Sequence, residues 1–300
     1  MSNVLNKDLK KEIDHVIDIL KSIQIGNDLE MARQGLDNLG TPIAEDIEVK
    51  KLKINDIDCQ FITPPKVNIN KVILYLHGGG YFCGSLISHG GLASEMARAS
   101  NCCALQIQYR KAPEHKFPAP IDDSCNAYLW LLAQGFKPEN IVLAGDSAGG
   151  GLVIATMLAL KDRKIPQPAG GVCLSPWVDM AATGESHITR KDADPIVKMD
   201  TVHLVINLYM NGVDIKTPLA SPIHGNLMGL PPLLIHVGER EILFSDAQML
   251  AETAKKYGVR VVFEEWPEMV HVWHMFYKQL TEARLALTKI GTFVQETTAG

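Results

Sequence analysis

No stretch of this sequence stays apolar for the roughly 20 residues that a membrane span requires, and it has no excess of basic over acidic residues. With 29 Lys and Arg against 34 Asp and Glu, the net charge is −5, which argues against a nucleic-acid-binding surface. Cysteine is scarce and unpatterned. The six residues (Cys59, Cys83, Cys102, Cys103, Cys125 and Cys173) form no C-x-x-C pair and no Cys/His spacing of the kind a zinc site uses. Several lie inside apolar runs, where a thiol behaves as a small hydrophobe. Free buried thiols in a reducing cytoplasm are therefore expected. Residues 1–22 carry lysines but no continuous apolar core and no small-residue cleavage site, so no secretory signal is read there. Repeats and low-complexity tracts are also missing. These absences leave a soluble, cytoplasmic protein as the expectation, without stable membrane insertion.

Apolar material, by contrast, is plentiful: 46% of the 300 residues are hydrophobic, enough for a large core. Leu5, Leu9, Ile13, Val16, Ile17 and Leu20 recur at helical spacing and predict an amphipathic helix packed on its own protein. A second short helix and a loop follow to about Pro42. Strands are predicted at Ile47–Ile54 and Cys59–Thr63, with a turn at Asn55-Asp56. From Lys71 strands and helices alternate. Strands are read at Val72–His77, Cys102–Tyr109, Ile141–Ala144, Gly171–Leu174, Leu233–Val237 and Val259–Glu264. Helices are read at Gly91–Ala99, Ile121–Gln134, Ala148–Leu160, Asp246–Tyr257 and His274–Val294. Such alternation implies an α/β fold, a mostly parallel sheet with helices on both faces. Between Pro176 and Leu230 the rhythm breaks: Thr201–Asn211 reads as helix and no strand is evident. A long insertion at the C-terminal end of a strand is where α/β enzymes place lids and pockets. The expected organisation is residues 1–45 as a helical part of a cap, 46–175 and 231–300 as the α/β domain, and 176–230 as the rest of the cap.

Gly145-Asp146-Ser147-Ala148-Gly149 is a G-x-S-x-G sequence set between a buried strand and a helix. A serine on such a turn is held in strained backbone with its hydroxyl exposed, and its neighbours must be small. Upstream, His77-Gly78-Gly79-Gly80 ends a strand. Consecutive glycines let backbone N–H groups approach a ligand oxygen closely. With the N–H of Ala148, those of Gly79 and Gly80 can bind the oxyanion of a tetrahedral intermediate. A phosphate loop would need a Lys after its last glycine, and none follows here. A serine hydroxyl needs a base. His271 lies after the last strand, in the chain order serine, acid, histidine; His274 is the rival, placed on the final helix. His77 is read as holding the glycine loop, and His89 and His115 as structural. Three carboxylates follow the Leu233–Val237 strand: Glu241 is preferred as the acid, Glu239 is an alternative, and Asp246 reads as a helix N-cap that could also serve.

Taken together, these blocks resemble the hormone-sensitive-lipase-like carboxylesterases of the α/β-hydrolase fold, from about Lys71 to the end of the chain. His77-Gly78-Gly79-Gly80 is similar to the family's HGGG. Tyr109-Arg110-Lys111-Ala112-Pro113-Glu114-His115 with Phe117-Pro118-Ala119, the Gly145–Gly150 hexapeptide, Leu219-Ala220-Ser221-Pro222 and Leu230-Pro231-Pro232 match further blocks in order. The resemblance implies an α/β-hydrolase fold with a helical cap, an oxyanion hole from Gly79, Gly80 and Ala148, and carboxylic-ester substrates with short to medium acyl chains. It implies no cofactor and no metal. The chain departs from the family at the acid, where Asp-Pro is usual and Glu241-Ile242 stands here, and after the histidine, where H-G-F is common and His271-Val272-Trp273-His274 stands. The expected partner is a small-molecule ester, with a homodimer also open. Two other readings stay open: another acyl hydrolase (lactonase, amidase or deacetylase), and a non-catalytic small-molecule receptor on the same fold. Within the insertion, His187, Ile196, Met199, Val205, Ile206, Tyr209 and Met210 are candidates to line a pocket.

Overall fold

The computed structural model describes residues 7–22 and 28–298; Leu5, the first apolar position of the N-terminal pattern, lies outside them. In chain order the elements are α1 (Lys7–Ser22), α2 (Leu29–Leu39), β1 (Glu48–Ile54), β2 (Ile57–Thr63), β3 (Asn68–Leu76), α3 (Leu86–Ala99), β4 (Cys102–Ile107), α4 (Ala119–Ala133), β5 (Ile141–Asp146) and α5 (Ala148–Asp162). They continue with β6 (Gly170–Leu174), α6 (Ser186–Thr189), α7 (Met199–Tyr209), β7 (Leu233–Gly238), α8 (Phe244–Lys256), β8 (Val261–Trp266) and α9 (Thr281–Thr297). The strands form one sheet in the order β1-β2-β4-β3-β5-β6-β7-β8. β1 and β2 are antiparallel, joined through Asn55 and Asp56, both at positive φ. β4, β3, β5, β6, β7 and β8 run parallel.

Side-chain alternation divides the core in two. Val72, Leu74 and Leu76 of β3 pack with α4, α5 and α8 on one face, whereas Ile73 and Tyr75 pack with α3 and α9 on the other. The central strands are buried on both faces, as parallel strands covered by helices must be. On α1, Ile13, Val16 and Leu20 are buried against the α3/α9 face, so this amphipathic helix packs on its own protein. Helix α2 is tied down by Arg33. Its guanidinium donates to the carbonyls of Phe82 (2.9 Å) and Ala112 (3.1 Å) and to both carboxylate oxygens of Glu114. All six cysteines are free and buried. No helix among the described residues is long and apolar enough to cross a membrane.

Three helix starts lie two residues before the sequence expectation (α4, α7 and α8), and two differ by more, both at capped ends. Helix α3 begins at Leu86, not Gly91, because Ser85 and Ser88 form a reciprocal capping box. The last helix begins at Thr281, not His274. Trp273–Phe276 forms a separate 3-10 turn, and Glu12 of α1 accepts from Thr281 N at 2.7 Å, capping α9 from a distant segment. The stretch between β6 and β7 holds α6, α7 and a 3-10 turn at Pro222–His224, without a strand.

A very tight backbone approach lies where β3, β5 and α5 meet. A Cβ on Gly149 would run into the Leu76 carbonyl oxygen and stand 2.6 Å from that of His77. Gly149→Ala must therefore push α5 off the sheet. A loss of roughly 2–3 kcal/mol is expected from such overpacking, read as a lower denaturation midpoint in urea.

Candidate active site

Ser147 stands between β5 and α5 with φ 55° and ψ −123°, a backbone state that L-residues rarely adopt. Strand and helix both hold it there. Its N–H donates to Leu174 O at 2.8 Å, and its own carbonyl accepts from Gly151 N and Trp177 N. The turn is possible only with small neighbours. A Cβ on Gly145 would lie 2.5 Å from Gly149 O and 2.6 Å from Leu76 O. The bend aims the hydroxyl at His271, whose Nε2 is 2.9 Å from Ser147 Oγ.

On its other side, His271 Nδ1 donates to Glu241 Oε2 at 2.7 Å. Glu241 is fully buried, and its second oxygen accepts from Ser175 Oγ at 2.7 Å and Gly238 N at 2.5 Å. Burial pushes the Glu241 carboxyl above its ordinary range, against the opposing pull of these three bonds. Burial alone would lower the His271 imidazole, but nearby carboxylates, Glu241 foremost and then Asp194 and Asp146, outweigh it, and His271 is raised. This ordering suits a base that must accept a proton from a hydroxyl while an adjacent negative charge steadies the imidazolium.

Gly79 and Gly80 follow β3 at φ +107° and +61°, with Gly79 O accepting from Phe82 N and Cys83 N. Asp146 supports this loop from below. Its carboxylate accepts from Gly78 N (3.0 Å), Tyr75 Oη (2.6 Å) and His89 Nε2 (3.1 Å). Burial pushes the Asp146 carboxyl up, and these contacts, those from His89 foremost, hold it below the ordinary range nonetheless. The His77 ring stacks on Tyr109 at 4.1 Å and donates through Nδ1 to Gly78 O, and burial keeps it neutral. His77 thus braces the loop, and His89 is a buried structural partner of Asp146. Ala148 opens α5, so its N–H is one of the first-turn donors that a helix leaves unpaired.

Gly79, Gly80, Ser147 and His271 border a cavity of about 160 Å³. Its walls are apolar and come from α1 and α2 (Leu20, Leu36), the segment 196–205 (Ile196, Val205) and the residues after His271 (Met275, Phe276). Of the insertion residues expected to line a pocket, Ile196 and Val205 do. His187 instead packs against Asp246 at 2.9 Å, and Tyr209 stacks on Tyr81 at 4.1 Å. Cys83 also faces the cavity, but burial pushes its thiol up to about 12, which leaves it neutral and a poor rival to Ser147.

The other acid and base candidates lie elsewhere. Asp246 is in the first turn of α8 but is not its N-cap. Its Oδ1 accepts from Val178 N and Asp179 N, and its Oδ2 meets His187. Glu239 accepts from Glu268 N. His274 is buried against His236, 3.1 Å away, and burial keeps it neutral. Ser175 went unnoticed in the sequence. At φ 48° it follows β6, donates to Glu241 and accepts from Val272 N at 3.2 Å, clamping the acid loop to the histidine loop. Only its place one residue past a predicted strand could have marked it.

Residues 73–275 match a protein family described by its alpha/beta hydrolase fold. An acetyl-hydrolase of Streptomyces hygroscopicus is 42% identical over 90% of this chain and 88% of its own length. An esterase of Acinetobacter venetianus is 33% identical over 76% of each. The crystal structure of an esterase from the bacterial hormone-sensitive lipase family superposes with a TM-score of 0.94 at 43% identity, covering 96% of this chain and 98% of that one.

Ser175→Ala would strip Glu241 Oε1 and Val272 N of one buried partner each. A stability loss of roughly 1–3 kcal/mol is expected, measured by urea denaturation. An unchanged midpoint would mean that the clamp contributes nothing.

Proposed function

The chain belongs to the hormone-sensitive-lipase-like carboxylesterases of the α/β-hydrolase fold, and on that premise we propose that it cleaves short- to medium-chain acyl esters through an acyl-enzyme on Ser147. The observation that carries this reading is the unbroken chain of hydrogen bonds from Ser147 through His271 to Glu241 at the floor of an apolar cavity.

In this mechanism, Ser147 Oγ attacks the ester carbonyl carbon as His271 Nε2 takes its proton. The N–H groups of Gly79, Gly80 and Ala148 hold the oxyanion. The tetrahedral intermediate collapses, the bond to the alkoxy oxygen breaks, and that oxygen takes the proton from His271. A water then repeats the sequence on the acyl-enzyme, its proton passing to His271 and on to Ser147, which leaves as the free hydroxyl. Glu241 orients the imidazole and balances its charge without itself taking the proton.

Helices α1 and α2 and residues 176–230 act as the cap, because they furnish much of the cavity wall. The cavity, about 160 Å³, is smaller than the ~300–1,000 Å³ that encloses a drug-sized ligand. No lysine or arginine lines it. Both features favour small, uncharged acyl groups, and the acetyl-hydrolase name of one relative points to the short end of the range.

Hydrolysis of p-nitrophenyl esters of rising chain length, with wild type and Ser147→Ala side by side, tests the proposal. Wild type should prefer short chains, and the folded variant should lose on the order of 10⁴-fold or more in turnover. A folded wild type inert on every ester would contradict the proposal. A second test follows from the raised His271. The base must be neutral to act, so kcat/KM should fall as pH drops through a value above the ordinary imidazole pKa of about 6.5. An acid limb below that value would argue against the Glu241–His271 pairing.

A further inference from the structure

One fully buried acid of the insertion has no place in the mechanism above. Asp194 lies between α6 and α7. Its Oδ1 accepts from Ile196 N (3.0 Å) and Val197 N (2.9 Å), and its Oδ2 accepts from Ile242 N (3.0 Å). The first two donors belong to the cavity wall, since Ile196 and Val197 both line it. The third is the residue directly after Glu241, and Leu243, next along, lines the cavity as well. One carboxylate therefore joins the wall of the substrate site to the loop that carries the acid, across 48 residues of sequence.

The nearby cations are engaged elsewhere. Lys198 Nζ donates to the backbone carbonyls of Asp194 and Lys191. Arg190 lies over the Phe244 ring at 3.6 Å and donates to Glu239 O. Among the described residues no Lys or Arg nitrogen pairs with the Asp194 carboxylate. A buried carboxylate held by N–H groups alone is costly unless its partners are well placed, and its field reaches its surroundings little diminished. His271 senses it, along with Glu241 and Asp146, and all three favour its protonated form. His274, in the following turn, is kept neutral by burial.

We propose that Asp194 is a positioning residue for ester cleavage: it fixes the cavity wall at Ile196–Val197 to the Glu241 loop and adds a negative charge that steadies the imidazolium. The inference rests on the Ser147–His271–Glu241 reading. Binding of substrate against the wall and alignment of the histidine are then linked through one side chain. Asparagine at this position could keep one accepting oxygen, but its amide would face an N–H as a second donor, and the charge would be gone.

The experiment compares Asp194→Asn with wild type and Ser147→Ala in p-nitrophenyl ester hydrolysis across pH, with circular dichroism to verify folding. The expected result is a roughly 10- to 100-fold fall in kcat/KM, together with an acid limb displaced to lower pH, because removing a negative charge makes His271 easier to deprotonate. A role confined to fold stability would leave that limb in place, so an unmoved limb in the folded variant overturns the proposal. Activity in Ser147→Ala would instead strike at the underlying reading, which keeps the two failures apart. Should Asp194→Asn not fold, Asp194→Glu decides. It keeps the charge but displaces the three N–H contacts, so the limb should stay at its wild-type position while KM rises, and an unchanged KM overturns the proposal.

Discussion

A carboxylate with no exposed surface has to be satisfied entirely by the protein, and Glu241 meets that demand across three neighbouring strands. Gly238 closes β7, Ser175 follows β6, and His271 follows β8. Each sends a donor to the same side chain. These partners can converge only if the parallel ends of β6, β7 and β8 stay in register, so the acid's solvation and the sheet's geometry are one constraint. Ser175 extends the constraint to Val272 N, which sets where the histidine loop begins. The imidazole is thereby held by a group that is itself held on three sides.

The other half of the site obeys a steric rule. Ser147 takes its unusual backbone state because β5 and α5 are pressed together at Gly145 and Gly149. The glycine loop after β3 is in turn hung from Asp146, the residue preceding the serine. Hence β3, β5, β6, β7 and β8, adjacent in the sheet, all deliver site residues at their C-terminal ends. Open parallel sheets favour this crevice because their connecting loops gather there. The helices that close the cavity come from two separate parts of the chain, α1 and α2 before the sheet and α7 between β6 and β7.

Much of this arrangement was legible in the sequence where the information is local. Three glycines after a strand, or a serine flanked by glycines between strand and helix, declare a backbone geometry within a few residues. What depended on distant segments was not legible. Glu239, Glu241 and Asp246 stand close together in sequence, and nothing local says that Val178, Asp179 and His187 occupy Asp246. The sequence alone places the start of the last helix at His274. The helix starts later because Glu12, far away in the chain, supplies its cap. The bonds that tie Ser175 to Glu241 and Asp194 to Ile242 were not legible either, since those partners lie 66 and 48 residues on.

If Ser147 is a nucleophile activated by His271, it reacts with electrophiles that its neighbours do not attack. Labelling with an organophosphate, followed by peptide mass mapping, tests it without assuming any particular ester. A single adduct on Ser147 is expected in the native protein, and none, under the same conditions, in a folded His271→Ala variant. A folded native protein that stays unlabelled, or an adduct on another residue, would contradict it.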